Sequence, residues 1–111
     1  MASLYAEYLK ERTTDYILEN DYGFATYRFL DEGKTVYIID IFIKPEHRKE
    51  LRASFIADEI CKIAKERGCT KLIGSVVPSA KNSTVSMKVL LGYGMSLEKS
   101  GDDWIIFRKE L

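Results

Sequence analysis

The chain is predicted to fold as α/β, or α+β by stricter usage, with a mixed, mostly antiparallel sheet of about six strands and a helix on each face. Three observations predict this. Apolar periodicities run in the order helix, three strands, helix, strand, helix, two strands. The longest helical segment lies between two apolar strands, and such a connection is a right-handed crossover that makes a parallel pair. Two turn sequences, Asp31-Glu32-Gly33-Lys34 and Ser100-Gly101-Asp102-Asp103, separate strand-like runs and read as antiparallel hairpins.

Each element has a local reason. Ser3 to Arg12 reads as a short helix with Ser3 as cap and Leu4, Tyr5, Tyr8 and Leu9 on one side. Tyr16-Ile17-Leu18-Glu19 is a short strand, and Asn20-Asp21 marks a turn. Tyr22 to Leu30 is rich in aromatics and reads as a strand. Gly33 supplies a positive-φ position in the hairpin turn that follows. Thr35 to Ile43 is β-branched and apolar, and is expected to be central and covered on both faces. A helix then spans Glu50 to Arg67, where Ala53, Ile56, Ala57, Ile60 and Ala64 recur at helical spacing. Gly68 is its left-handed cap. Lys71 to Val77 is an apolar strand that Pro78 ends. Asn82, Ser83 and Thr84 are all good caps for a helix from Thr84 to Tyr93, whose apolar side holds Val85, Val89 and Leu90. Gly94 stops that helix, and Met95 to Lys99 with Trp104 to Lys109 form the closing hairpin. Trp104 and Tyr37 read as core or sheet surface.

The length of 111 residues corresponds to one domain, residues 1–111, on a scale of roughly 100–200 residues per domain. Hydrophobic residues make up 46% and charged residues 31%, a globular balance rather than a disordered one. The formal net charge is zero, so no global field favours nucleic acid, a membrane surface or an acidic partner, and no basic stripe reverses that. The apolar run from Val36 to Ile43 is interrupted by Asp40 and is far shorter than the roughly 20 residues that span a bilayer. The N-terminus lacks a basic and apolar signal pattern, so a cytoplasmic location is expected. Cys61 and Cys69 lack metal spacing and His47 is the sole histidine, which reads as two reduced structural thiols and no metal site.

The stretch IFIKPEHRKELRASFI is the chemically informative one. Lys44, Arg48, Lys49 and Arg52 crowd a strand-to-helix junction. A helix N-terminus carries partial positive charge and prefers carboxylates, so cations there need a reason. Either the turn is a solvated face balanced by Glu46, Glu50 and Asp58, or an anion binds it. His47 reads as an exposed turn residue.

The element order and two motifs resemble the GNAT-type N-acetyltransferase superfamily. The first motif is IFIKPEHRKELRASFIADEICKIAKERGCTKL, in which Pro45, Glu46, Arg48, Ala64 through Gly68, and Leu72 fall in register. The second is NSTVSMKVLLGYGM, which looks like the family's late helix ending in Gly. The resemblance covers nearly the whole chain. It implies acetyl-coenzyme A as co-substrate, its pyrophosphate at the turn and helix N-terminus, and its pantetheine along main-chain groups near Phe42 and Ile43. Arg48 matches the family's leading Arg or Gln. Arg48, Lys49 and Arg52 would then hold phosphates, Ala53 stands in for one family Gly, and Asn82 and Ser83 contact the cofactor or simply cap their helix. An N–H near Ile43 would polarise the thioester carbonyl. Asp40, the one carboxylate in the strand before the turn, is the candidate general base; otherwise it sits at a splayed strand end or pairs with a cation.

This sequence also departs from the family pattern. Lys49 and Leu51 stand where the family has Gly, and Leu90 stands where it has the Tyr that serves as general acid. Tyr93 lies about 300° further round the helix. The expected function is transfer of acetyl from acetyl-coenzyme A to an amine, on a small molecule or a protein, by direct attack. The alternative is a catalytically degenerate GNAT-fold binding or assembly protein. Small diverged chains of this style are also similar to bacteriophage-encoded GNAT-like proteins, some virion-associated. The further partners so implied are a second copy in a homodimer, or virion proteins; neither nucleic acid nor membrane is expected.

Overall fold

The periodicities resolve into a six-stranded sheet, order β1-β2-β3-β4-β6-β5, and three α-helices among the described residues. The computed structural model describes residues 3–48, 52–81 and 83–111. The elements are α1 (Leu4–Arg12), β1 (Tyr16–Glu19), β2 (Gly23–Leu30), β3 (Thr35–Ile43), α2 (Arg52–Glu66), β4 (Lys71–Val76), α3 (Ser83–Gly92), β5 (Ser96–Gly101) and β6 (Trp104–Glu110). Only β3 and β4 pair in parallel, and α2 is the crossover between them. All other pairings are antiparallel.

The core lies between α2 and the sheet. Ile56, Ala57, Ile60, Cys61 and Ala64 form the buried face of α2, packed in one cluster with Ala25, Tyr27, Val36, Leu72, Val76 and Phe107 of the strands. Fully burying an isoleucine such as Ile60 contributes about 1.5–3 kcal/mol. Helix α3 joins the same face: Leu90 packs over Gly74 of β4, and Tyr93, just after α3, bonds to Asp58 of α2. Helix α1 lies on the opposite face. Its Tyr5 meets Phe24 edge-on, and Phe24 points away from α2 because its neighbour Ala25 points into the core.

Several expectations need correction. Ser3 does cap α1, its hydroxyl accepting from the Ala6 N–H at 3.0 Å, but the buried residues are Ala6 and Leu9, while Leu4, Tyr5 and Tyr8 are exposed. The helix packs on the sheet margin at β1 and needs only a narrow apolar line. Strand β3 is central, yet Asp40, Ile41 and Phe42 are exposed, so two-sided cover fails in its second half. The turn after β2 is tighter than expected: Asp31 and Glu32 join Gly33 at positive φ, and the Thr35 hydroxyl donates to the Asp31 carboxylate at 2.7 Å. Asp tolerates that conformation better than most residues. Ser83 begins α3, and its hydroxyl donates to the Pro78 carbonyl at 2.8 Å. Lys49, Glu50, Leu51 and Asn82, and the side chain of Val85, lie outside the described residues. Among the described residues no helix is long and apolar enough to cross a membrane.

One ion pair ties the crossover strand to the hairpin. The Lys71 ammonium donates to Glu98 at 2.9 Å, with both side chains about three-quarters buried. That bond holds the Glu98 carboxyl below the usual carboxylate range. A depressed carboxyl pKa stabilises the fold above the unfolded value of about 4.3, and the contribution is lost as pH falls through the folded value. Glu98→Gln is therefore expected to cost about 0.5–1 kcal/mol at pH 7 and progressively less as pH falls below the unfolded carboxylate value, read from urea midpoints across that range.

Candidate functional site

The parallel pairing is short. It runs from Thr35 opposite Lys71 to Ile38 opposite Gly74 and stops there. Beyond that point β3 continues to Ile43 and β4 to Val76 without pairing to each other, so the sheet forks. A bulge starts the fork: Tyr27 is opposite Ile38 and Thr26 is opposite Asp40, which leaves Ile39 unmatched. An extra residue bends the strand and resets its alternation. Asp40 and Phe42, opposite Thr26 and Phe24, therefore point to the α1 face, whereas Ile41 and Ile43, opposite Ala25 and Gly23, point to the α2 face.

The main chain follows the same logic. The Lys44 N–H donates to the Tyr22 carbonyl at 2.8 Å, so Lys44 belongs to a hydrogen-bonded pair with β2. Such pairs alternate along an antiparallel ladder. Phe42 thus turns its N–H and C=O to β2, and Ile41 and Ile43 turn theirs into the fork. The fork has different walls on its two faces. On the α1 face the Tyr37 hydroxyl and Ser75 Oγ meet at 2.7 Å and bridge β3 to β4 where they part. On the α2 face Leu90 closes over Gly74, the last paired residue of β4.

The basic turn caps the open end. Pro45–His47 form a single 3₁₀ turn. Arg48 folds back so that its Nε donates to the Ile43 carbonyl at 2.9 Å, with its guanidinium 5.6 Å from the Phe42 ring centroid. Arg52, the first described residue of α2, stacks on Tyr22 at 4.7 Å. His47 is half-buried with its ring beside that of Tyr22, and both help line an open cleft of about 420 Å³ with Asn20, Asp21 and Arg52. Ala53 is half-buried against the core. Asp40 is exposed, so the desolvation cost of a carboxylate in an apolar strand does not arise.

The structure thus brings Asp40, Phe42, Ile43 and Arg48 together at the fork, with Arg52 beside it on Tyr22. Ser83 stands at the start of α3, tied to Pro78. Two constellations escaped sequence reasoning. The Tyr37–Ser75 pair joins residues 38 positions apart, and only strand register reveals it. The other is at the opposite end of the sheet. There the Tyr93 hydroxyl donates to Asp58 at 2.6 Å and lies 3.7 Å from Cys61 Sγ, with Lys109 Nζ 4.2 Å from the ring centroid. Burial, then the bond to Asp58, pushes the Tyr93 phenol up, and burial pushes the Cys61 thiol up. Lys109 is opposite Leu72, near the start of β4. Tyr93 therefore turns its hydroxyl to Asp58 and Cys61 of α2 rather than into the fork, and does not replace the tyrosine absent at Leu90. Among the described residues no group of three or more His, Cys, Asp or Glu side chains could hold a metal ion.

A mixed sheet that forks beside a basic strand-to-helix turn is the architecture this chain shares with solved acetyltransferase structures of the GNAT fold. The chain belongs to the acetyltransferase (GNAT) family, whose model matches residues 3–87. It is 30% identical over 91 residues to the thialysine N-epsilon-acetyltransferase of Sus scrofa, a match covering 79% of this chain and 52% of that protein. The Bos taurus enzyme of the same name is 28% identical over 79 residues, covering 71% and 45%. The chain thus spans about half the length of these curated relatives. Among solved structures, an acetyltransferase of the GNAT family from Desulfovibrio desulfuricans superposes with a TM-score of 0.78 at 18% identity, over 94% of this chain and 75% of that one. PaiA N-acetyltransferase from Thermoplasma acidophilum, crystallised with coenzyme A, gives 0.76 at 17% identity, over 93% and 65%. Acetyl-coenzyme A is the co-substrate of this family, and its members act on small-molecule or protein amine acceptors.

Proposed function

We propose that this chain, residues 1–111 as one domain, transfers acetyl from acetyl-coenzyme A to a primary amine by direct attack. The observation that carries the reading is the edge of β3 that β4 leaves unpaired, where Ile41 turns its N–H and C=O and Ile43 its N–H into a fork, while the Ile43 carbonyl is held by Arg48 and Arg52 stands beside it. These residues fit the co-substrate. An unpaired strand edge suits pantetheine amides, as an added strand would. Cations at the turn suit a pyrophosphate, in concert with the N-terminus of α2. Ser83, at the start of α3, is assigned to the same cradle; for Lys49 and Asn82 that role rests on the sequence resemblance alone.

Bound acetyl-coenzyme A supplies an activated thioester, and this chain's residues supply orientation and proton handling. The Ile43 N–H is the oxyanion-type donor. Asp40, on the α1 face of the fork, takes the proton of the incoming ammonium. The Tyr37–Ser75 hydroxyl pair is the proton source at the fork, on the face opposite Leu90. Relatives bearing the name thialysine N-epsilon-acetyltransferase support an amine acceptor. A cytoplasmic location accords with such a substrate.

A thermal shift tests this. Acetyl-coenzyme A at about 100 times its dissociation constant stabilises by about 2.7 kcal/mol. A shift is expected for the native chain and its loss for the Arg48→Ala, Arg52→Ala double variant. Absence of any shift at millimolar acetyl-coenzyme A would overturn the transferase reading. It would favour the alternative, a GNAT-fold binding or assembly protein working as a homodimer or on a virion.

A further inference from the structure

The face of the fork that carries Asp40 also carries a row of aromatic rings. Phe42 is 44% exposed and stacks on Phe24 with centroids 5.6 Å apart and planes at 28°. Phe24 is met edge-on by Tyr5 of α1 at 6.5 Å. Tyr8, one helical turn beyond Tyr5, is exposed on the same side of α1. The row therefore crosses from α1 over β2 to β3, open to solvent and adjoining the fork.

Opposite charges flank its Phe42 end along β3. On one side the Arg48 guanidinium stands 5.6 Å from the Phe42 ring. Asp40 lies two positions before Phe42 in β3 and on the same face, about 7 Å along the strand. A cationic head is drawn to Asp40 and repelled from Arg48, while a ring behind it finds faces and edges of other rings to stack on. Ring faces themselves also attract ammonium groups. A contiguous row of exposed rings beside a site is a candidate contact surface. Solvent-facing rings could have been replaced by polar residues at no cost to the core, which lies on the other face of the sheet.

We propose that the acceptor is an arylalkyl primary amine, its ring on the Tyr5–Phe24–Phe42 row and its ammonium at Asp40. This inference rests on the acetyl-transfer reading and names the substrate class for that site. In the step itself the ammonium gives one proton to Asp40. The free amine nitrogen bonds to the thioester carbonyl carbon, and the carbon–sulfur bond breaks. The departing thiolate takes a proton from the hydroxyl pair, the second proton on nitrogen restores that pair as the amide forms, and Asp40 returns its proton to solvent. The products are an N-acetyl arylalkylamine, coenzyme A and one released proton.

The test compares 2-phenylethylamine with n-hexylamine as acceptors, and follows ring-proton shifts of Tyr5, Phe24 and Phe42 by NMR on titrating each amine alone. The expected preference in kcat/KM for the aryl amine is about 3–10-fold, the scale of one aromatic pairing. Tyr5→Leu and Phe42→Leu, which keep apolar bulk, are each expected to reduce that ratio, and 2-phenylethylamine alone is expected to move the ring signals. Equal kcat/KM for the two amines, with the ratio unmoved by either variant, overturns the acceptor class but leaves acetyl transfer standing. Bound acetyl-coenzyme A with transfer to neither amine overturns the arylalkylamine acceptor and leaves acetyl transfer to another amine standing; ring shifts specific to the aryl amine would still uphold the aromatic site, and their absence would overturn it.

Discussion

Asp40→Asn is expected to lower acetyl transfer by about 10²–10⁴-fold, the range of general acid–base contributions, while the acetyl-coenzyme A thermal shift persists. The substitution keeps size and hydrogen-bonding capacity but removes the proton acceptor. Asp40 is exposed on the α1 face, and its neighbours in β3 hold the strand through Ile41 and Ile43 in register with β2. Stability should therefore change by no more than about 0.5 kcal/mol, as for other surface substitutions. A kcat within twofold of the native value would remove Asp40 from the chemistry. The bulge at Ile39 explains why this position matters: without the unmatched residue, Asp40 would point into the core face.

Gly23→Ala is expected to destabilise the fold by about 1–3 kcal/mol and to weaken acetyl-coenzyme A binding with it. A methyl group on Gly23 would overlap the main-chain carbonyl oxygen of Phe42 and crowd Ile43. Both obstacles belong to backbone or to a buried residue, so β2 and β3 must part where β3 enters the fork. Gly92 at the end of α3 is the matched control. An added methyl there meets nothing within 4 Å, and Gly→Ala in a helix favours folding by up to about 1 kcal/mol. Urea midpoints for the two variants should move in opposite directions. Equal midpoints would show that the close approach at Gly23 is unimportant.

Much of the fold was legible because its signals are local. The spacing of Ile56, Ile60 and Ala64 sets one face of α2, and Gly68 takes the left-handed conformation that ends it. On α1 the apolar line Leu4, Tyr5, Tyr8 and Leu9 holds only for Leu9, because an edge helix need bury only Ala6 and Leu9 and its exposed Leu4, Tyr5 and Tyr8 imitate a core stripe. The site was legible in part. Lys44-Pro45-Glu46-His47-Arg48 is contiguous, and its cations announce the turn. The fork is not contiguous: its geometry depends on one unmatched residue and on where β3 and β4 stop pairing. The Tyr37–Ser75 bridge and the aromatic row depend on register between strands, which a linear pattern does not encode.

The most direct test of the fork is a titration of the isotopically labelled chain with coenzyme A, read at backbone amides. Large shifts at Ile41 and Ile43, with smaller ones at Ser75 and Val76 and none at Asp58 or Tyr93, are the predicted result. Perturbations centred on the Asp58–Tyr93 end of the sheet, or an unchanged spectrum at millimolar ligand, would contradict it.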